Sequence, residues 1–110
     1  MKGGENMNKQ LYRQGDVDIK PIKSLPKGLK KAKDKVLALG EVTGHFHRFA
    51  DNSMVDVFLA SNGLKYLQVH QPSPLIHEEH NEIMILPGTY KVEIEREYSY
   101  EDEEMKKVVD

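Results

Sequence analysis

The sequence predicts one small, mainly β domain, a barrel or sandwich of six to seven antiparallel strands followed by a short C-terminal helix. Three observations predict it: polar and apolar residues alternate with the period of a half-buried strand, the apolar runs are short, and glycine and proline separate them. The 110 residues suffice for a single domain. We interpret residues 1–10 as a flexible leader and residues 11–110 as that domain.

The N-terminal half is predicted to contain two strands around a basic loop. Gln14-Gly15-Asp16 is interpreted as a turn, and residues 16–20 then alternate as a strand with one buried face does. Prolines and a glycine break the pattern and give a lysine-rich loop. Residues 36–49 are predicted to be one long strand, bent at Gly40 or Gly44, where the missing side chain tolerates a bulge.

The middle of the chain predicts a β-hairpin. Two apolar runs, residues 55–60 and 64–69, are separated by Ser61-Asn62-Gly63. Asn-Gly between such runs indicates a tight turn, because both residues tolerate the positive φ angles of a type I′ turn. The proline-containing segment 71–74 is predicted to be an extended connector.

The C-terminal third predicts two further strands and a helical turn. Residues 83–86 form a short apolar run, and Pro87-Gly88 then indicates a turn. Residues 89–97 alternate apolar with polar and charged side chains, which indicates one face on a core and one in water. Beyond Ser99, the spacing of a capping residue and of apolar positions favours a short helix.

Composition excludes several classes of function. The chain has no cysteine, which removes disulfides, thiolate zinc sites and cysteine nucleophiles. Its net charge of −2 and the lack of a long apolar run favour a cytoplasmic protein that is not drawn to membranes. Charge is uneven, however: residues 20–35 hold seven lysines and one aspartate, and residues 93–104 hold seven acids and one arginine. We interpret these as solvated surfaces that pair within a chain or across a homo-oligomer; the alternative is a lysine loop that attracts phosphates.

Four of the five histidines fall in two short clusters, the GHFH cluster (residues 44–47) and the HEEH cluster (residues 77–80). On a strand, residues two apart point to the same face, roughly 6 to 7 Å apart. His45 and His47 are therefore expected to reach one metal ion together, with Phe46 on the opposite face in the core. Imidazole is a common ligand of Zn, Mn, Fe and Ni, so such an ion is the expected cofactor.

The HEEH cluster has two possible geometries. If it is extended, His77 and Glu79 share a face; if it is a turn, His77 and His80 come together. One of these three side chains would complete a metal site on His45 and His47, as two histidines and a carboxylate or as three histidines. The alternatives are a purely structural role and a binding surface, and His70 is interpreted as structural.

The leading functional hypothesis is a metal-dependent or histidine-based enzyme, a phosphodiesterase or nuclease acting on a nucleotide or another phosphate-bearing substrate. Without metal, two histidines could act as base and acid, because their pKa lies near neutral pH. The alternatives are a binding module that sequesters a nucleotide or docks on a protein, and a structural role in a β-rich oligomer. The candidate catalytic residues are His45, His47, His77 and Glu79, the candidate metal ligands are His45, His47, His77 and His80, and the candidate substrate-binding residues are Lys30, Lys31 and Arg48.

The order of motifs resembles a family of small uncharacterised proteins from bacteria and their phages. The motifs are QGDV (residues 14–17), EVTGHFHR (41–48), HEEH (77–80), LPGTY (86–90) and REY (96–98). This resemblance implies no particular activity. The His-x-His segment is also similar to the first motif of cupins, which are metal-binding β-sandwiches, although the glutamate that cupins place shortly after it is absent here.

Overall fold

The computed structural model describes residues 11–39 and 44–95. Within these ranges the chain forms ten strands, which confirms a mainly β fold, although the predicted number of six to seven strands was too low. The strands are β1 (Tyr12–Gln14), β2 (Val17–Pro21), β3 (Lys30–Lys31), β4 (Val36–Leu39), β5 (Phe46–Phe49), β6 (Val55–Leu59), β7 (Lys65–Val69), β8 (Ser73–Ile76), β9 (Ile83–Ile85) and β10 (Gly88–Ile94). The predicted leader and C-terminal helix lie outside the described residues. In the described part of the chain, no helix is long and apolar enough to cross a membrane.

The strands form two antiparallel sheets. The larger sheet has the order β1-β2-β10-β7-β6-β3, and the smaller one has the order β4-β5-β8-β9. Strand β10 lies between β2 and β7, and its alternation follows the prediction: Tyr90 and Val92 are buried, whereas Lys91 between them faces outward and is half-buried. The central position of β10 explains this pattern, because only one of its faces can pack on the core.

One hydrophobic core is shared by both sheets. The larger sheet contributes aromatic and aliphatic side chains from β1, β2, β6, β7 and β10, and the smaller sheet contributes side chains from β4, β5, β8 and β9. The buried members include Ile19, Leu67 and Tyr90 from the larger sheet and Phe49 and Ile85 from the smaller one. The loops of the two sheets are therefore held close to each other at the margin of this core.

The predicted hairpin of residues 55–69 is present as β6 and β7, but its turn differs from the prediction. Gly63 N–H donates to Ala60 O at 2.9 Å, so Ser61 and Asn62 are the central residues of the turn. Gly63 follows them with a φ of +91°. This arrangement is a three-residue loop with a glycine bulge rather than a type I′ turn centred on Asn62-Gly63. The Asn62 side chain favours it by accepting a hydrogen bond from Leu64 N–H at 3.1 Å.

The prediction of one long strand over residues 36–49 was wrong. That segment contains β4 and β5, which pair with each other in antiparallel fashion, Leu39 opposite Phe46. The chain therefore reverses between them, and Gly44 has a φ of +90°, which an extended strand does not use. The proline-containing connector was also partly wrong, because Ser73 and Pro74 begin β8. Pro74 is tolerated there although it donates no ladder hydrogen bond.

Candidate functional site

A cavity of about 310 Å³ opens where three segments of the chain meet. The first is the turn between β1 and β2, the second is the end of the GHFH cluster, and the third is the HEEH cluster between β8 and β9. The two sheets bring these segments together, since β1 and β2 belong to the larger sheet and β5, β8 and β9 to the smaller one. The lining residues are Gly15, Asp16, His45, His47, His77, Glu79, His80 and Glu95.

The four clustered histidines contact one another in this cavity. The His77 ring is central: its centroid lies 4.3 Å from that of His47, 4.6 Å from that of His80 and 5.7 Å from that of His45. The His47 and His80 rings are stacked with centroids 5.9 Å apart. The two histidine clusters, 30 residues apart in the sequence, therefore share one cavity.

The HEEH cluster forms a bend rather than a strand. This is the second of the two predicted geometries, in which His77 and His80 come together. The bend is stabilised by a local hydrogen bond, in which Glu79 N–H donates to His77 Nδ1 at 3.0 Å. Because Nδ1 accepts here, the proton of a neutral His77 ring is on Nε2. Burial, reinforced by the neighbouring His80, lowers the pKa of His77 below its ordinary value, so the ring is neutral at physiological pH.

The hydrogen bonds of His47, a residue that is 1% exposed, place a proton on the other ring nitrogen, Nδ1. Its Nδ1 lies 2.9 Å from Gln14 Oε1. The amide nitrogen of Gln14 donates to Leu75 O at 2.9 Å and to Asn81 O at 3.0 Å, so the amide oxygen must be the atom that faces His47. An amide oxygen only accepts, and His47 Nδ1 therefore holds a proton.

The second nitrogen of His47 faces a carboxylate. His47 Nε2 lies 3.7 Å from Asp16 Oδ1. In a neutral His47 ring both of these atoms are acceptors, and two acceptors repel each other at this distance unless a proton or a metal ion lies between them. A histidine whose Nδ1–H donates to a protein oxygen is oriented as metal-binding histidines commonly are, with Nε2 directed at a cation or a proton.

Gly15 makes room for the ring of His80. A Cβ atom built on Gly15 would lie 2.7 Å from His80 Nε2, closer than real Cβ atoms approach other atoms. Gly15 also has a φ of +59°, which glycine adopts more easily than other residues. Both observations indicate that this position needs glycine, and that the turn before β2 helps to position the HEEH cluster.

Two nitrogen atoms at the cavity have no hydrogen-bond partner among residues 11–39 and 44–95. They are His45 Nδ1 and His77 Nε2, and both are buried. The carboxylate of Glu79 lies 3.5 Å from His45 Nδ1 but does not form a hydrogen bond with it. Buried polar atoms without partners are few in native proteins and commonly mark a bound ion, water or ligand. His45, His77 and Glu78 also present potential ligand atoms that lie within 4.8 Å of one another.

Glu78 joins the HEEH cluster to the first residues of β5. Its Oε1 accepts a hydrogen bond from Phe46 N–H at 2.9 Å, and its Oε2 accepts one from Arg48 Nη1 at 3.1 Å. The hydrogen bond from Phe46 N–H, then the backbone N–H of Glu78 itself and Arg48, hold the pKa of Glu78 below its ordinary value. Glu78 therefore fixes the distance between the two histidine clusters. Phe46, which was expected in the core, is only half-buried.

The predicted substrate-binding cations lie outside the cavity lining. Lys30 and Lys31 form β3, at the edge of the larger sheet opposite β1, and Lys31 pairs with Asp56 at 3.0 Å. Arg48 pairs with Glu78. His70 also lies outside the lining, where its Nε2 is 3.0 Å from Asp56 Oδ2.

The sequence pattern did not predict that the β1–β2 turn and the start of the acidic segment (residues 93–104) contribute to the cavity. Gln14 and Asp16 were interpreted as turn residues, and Glu95 as part of a solvated acidic face. The local sequence contains no signal for Gln14, because a glutamine on a strand is ordinarily exposed to solvent, whereas this one is 2% exposed. The Glu95 carboxylate pairs with the Arg13 guanidinium beside the cavity.

The charge of the cavity lining is unusual for a site that binds phosphate through side chains. In the described part of the chain the lining has four imidazoles and three carboxylates, but neither lysine nor arginine. Such a donor set suits divalent transition metals, for which imidazole and carboxylate are ordinary ligands.

Comparisons with known proteins support one part of the resemblance noted in the sequence, membership of an uncharacterised family. No curated protein and no solved structure matches the chain. A family model described as a domain of unknown function, DUF8820, matches residues 13–95, which include all ten strands except the first residue of β1 and all residues of the cavity lining. The chain belongs to this family.

Proposed function

We propose that the protein is a metal-dependent hydrolase whose histidine cavity binds one divalent transition metal ion and cleaves a phosphate ester. The observation that supports this proposal most is the pair formed by His47 Nε2 and Asp16 Oδ1, 3.7 Å apart. Gln14 holds the proton of His47 on Nδ1, so the nitrogen that faces Asp16 is prepared to bind a cation.

The other ligands come from the same cavity. His45 Nδ1 is buried and lacks a hydrogen-bond partner in the described ranges, so it can bind an ion without breaking a hydrogen bond. His47, Asp16 and His45 would give two nitrogens and one oxygen once the His45 ring turns toward the other two, since the ligand atom of His45 now lies within 4.8 Å of those of His77 and Glu78. This set leaves coordination positions for water and substrate. Zn, Mn, Fe and Ni are the metals that such a set accepts.

Hydrolysis follows from the chemistry that such an ion supplies when bound, because it lowers the pKa of a coordinated water molecule toward neutral pH. In the reaction, the water oxygen forms a new bond to phosphorus, one ester P–O bond breaks, and the leaving alcohol takes up the proton that water released. The cavity lining has no lysine or arginine within the described ranges, so the phosphate would be held by the ion and by neutral donors rather than by Lys30 and Lys31.

The test uses protein purified without a polyhistidine tag and stripped with a chelator. Calorimetric titration with Zn²⁺, Mn²⁺, Fe²⁺ and Ni²⁺ measures binding, and bis(p-nitrophenyl) phosphate and p-nitrophenyl acetate serve as substrates. We expect one tightly bound ion per chain, metal-dependent cleavage of the phosphodiester, and loss of both in His47→Ala and Asp16→Asn. His70→Ala is the matched control, because His70 also contacts an aspartate but lies outside the lining.

Each result bears on one part of the proposal. A chain that takes up none of the four ions would overturn the metal site. Metal binding without turnover of either substrate would overturn hydrolysis, and cleavage of the acetate alone would overturn the phosphate ester. Equal losses in His70→Ala and His47→Ala would show that the losses do not arise in the cavity.

A further inference from the structure

We infer that His77 is not a metal ligand but the hydrogen-bond donor that holds a non-bridging oxygen of the substrate, through Nε2–H. This inference rests on the proposed function, because it assigns the group that receives the substrate anion beside the metal. It concerns the one imidazole that contacts all three of the other clustered rings.

The first argument is the local hydrogen bond of the HEEH bend. Glu79 N–H donates to His77 Nδ1 at 3.0 Å, so Nδ1 offers its lone pair to the backbone. The neutral ring then has its proton on Nε2, and a protonated nitrogen cannot bind a metal ion. For His77 to become a ligand through Nε2, the proton would have to move to Nδ1 and the hydrogen bond from Glu79 N–H would break.

The second argument is that the donor is buried without an acceptor. His77 lines the cavity, and its Nε2 is buried with no hydrogen-bond partner among the residues described. An N–H left in this state costs free energy, which a ligand oxygen in the cavity would restore. A donor prepared in this way stabilises negative charge that develops on a substrate oxygen.

The third argument is the contrast with His47. The ring centroids of His47 and His77 are 4.3 Å apart, yet their hydrogen bonds impose opposite tautomers. His47 directs an acceptor nitrogen toward a cation, and His77 directs a donor toward an anion. Side by side, they suit an oxyanion that binds the metal through one oxygen and His77 through another.

Proximity alone favours a competing assignment, in which His45, His77 and Glu78 bind the ion together, since their ligand atoms lie within 4.8 Å of one another. Glu78 does not decide between the two assignments, because each of its oxygens accepts one hydrogen bond, from Phe46 N–H or from Arg48, and keeps a further lone pair. His77, however, would have to exchange its tautomer and lose the hydrogen bond from Glu79 N–H. The hydrogen bonds therefore favour His77 as a donor.

The direct test is the tautomeric state of each ring, measured on metal-free protein at neutral pH by long-range ¹H–¹⁵N NMR spectroscopy of the histidine side chains. We expect His77 to be protonated on Nε2 and His47 on Nδ1. A His77 ring protonated on Nδ1 would overturn the inference. This measurement needs neither metal nor turnover, so its failure and the failure of the proposed function can be told apart.

The second test uses His77→Phe, which keeps a ring of similar shape and removes both nitrogens, with His70→Phe as the matched control. We expect His77→Phe to keep one metal ion per chain and to bind inorganic phosphate about tenfold more weakly in the metal-loaded state. His70→Phe should leave phosphate affinity unchanged. Loss of the metal from a folded His77→Phe protein would show that His77 is a ligand, and unchanged phosphate affinity would show that it does not hold the anion.

Discussion

The buried amide of Gln14 offers the sharpest test of how the site is built, through the substitution Gln14→Leu. Gln14 is 2% exposed, and its amide group contacts His47, Leu75 and Asn81 by hydrogen bonds of 2.9 to 3.0 Å. Leucine has a similar volume but makes none of these bonds. The substitution therefore removes the partner of His47 Nδ1–H without opening a large cavity.

The magnitude follows from the groups that lose a partner. The His47 N–H and the Leu75 carbonyl are bonded to Gln14 in a buried environment, and each costs about 1–3 kcal/mol when left unsatisfied. The Asn81 carbonyl is only partly buried and can turn to water. The apolar side chain recovers some free energy, so we expect the free energy of unfolding to fall by about 3 kcal/mol, out of the 5–15 kcal/mol typical of a domain. If His47 binds the metal ion as proposed, loss of the group that orients its ring should weaken metal binding by about 10–100-fold.

Urea denaturation monitored by circular dichroism and calorimetric titration of the metal measure these two effects. Gln68→Leu is the matched control, because Gln68 also bonds through both ends of its amide, to Gly88 O and to Thr89 Oγ1, but lies on β7 away from the cavity. It should cost about 1 kcal/mol and leave metal affinity unchanged. If Gln14→Leu bound metal as tightly as the unmodified protein, the argument that Gln14 sets the tautomer of His47 would be refuted.

Three further outcomes are expected from other parts of the structure. Gly15→Ala should lower the free energy of unfolding by about 1–3 kcal/mol in urea, because alanine is strained at positive φ and its Cβ would displace the ring of His80. The pKa of Asp56 is held below its ordinary value of 3.8, and the stability that this provides is present above that value and lost as the pH falls through the lower, folded-state pKa. Acid titrations followed by circular dichroism should therefore show a shallower loss of stability below about pH 4 in Asp56→Asn than in the unmodified protein. The double substitution Lys30→Ala and Lys31→Ala should change the KM for the phosphodiester by no more than about twofold, since both residues lie outside the cavity lining.

These three experiments have clear contrary outcomes. Gly63→Ala is the control for Gly15→Ala, since Gly63 also has positive φ but has open space around a Cβ atom. If both alanine variants lost the same stability, the contact with His80 would contribute nothing. The low pKa of Asp56 arises first from the hydrogen bond with His70 and then from Lys31. If Asp56→Asn and the unmodified protein lost stability equally as the pH falls, this explanation would be contradicted. A large rise in KM for the lysine variant would show that Lys30 and Lys31 take part in substrate binding.

The local sequence pattern was sufficient to predict strand β10 and the β6–β7 hairpin. The alternation of residues 89–97 predicted β10 because one face packs on the core, and the turn residues near Gly63 predicted the β6–β7 hairpin because a hairpin is a local structure. The prediction failed for a second local pairing, that of β4 with β5, because apolar residues continue through the segment and hide the reversal. Residues 36–49 read as one apolar run, and only the pairing of Leu39 with Phe46 reveals that the chain reverses there.

The sequence predicted the histidines of the candidate site, but it did not predict the residues that contact and orient them. Clustering of titratable residues singled out the GHFH and HEEH clusters, and the structure brings both to one cavity. Gln14 and Asp16 could not be assigned, because their role arises from hydrogen bonds and contacts that span about 30 residues or more of sequence. Contacts between residues so far apart in sequence depend on the order of strands in the sheets, which the local periodicity of the sequence does not reveal.

The cavity also spans the seam between the two sheets, since Asp16 follows β1 and His47 belongs to β5. An ion bound to both side chains would form a reversible cross-link between the two sheets. Its binding free energy would then add to the free energy of unfolding, by about 2.7 kcal/mol at a free ion concentration one hundred times the Kd. The melting temperature of the protein would rise with metal concentration, so thermal resistance could report on cellular metal supply.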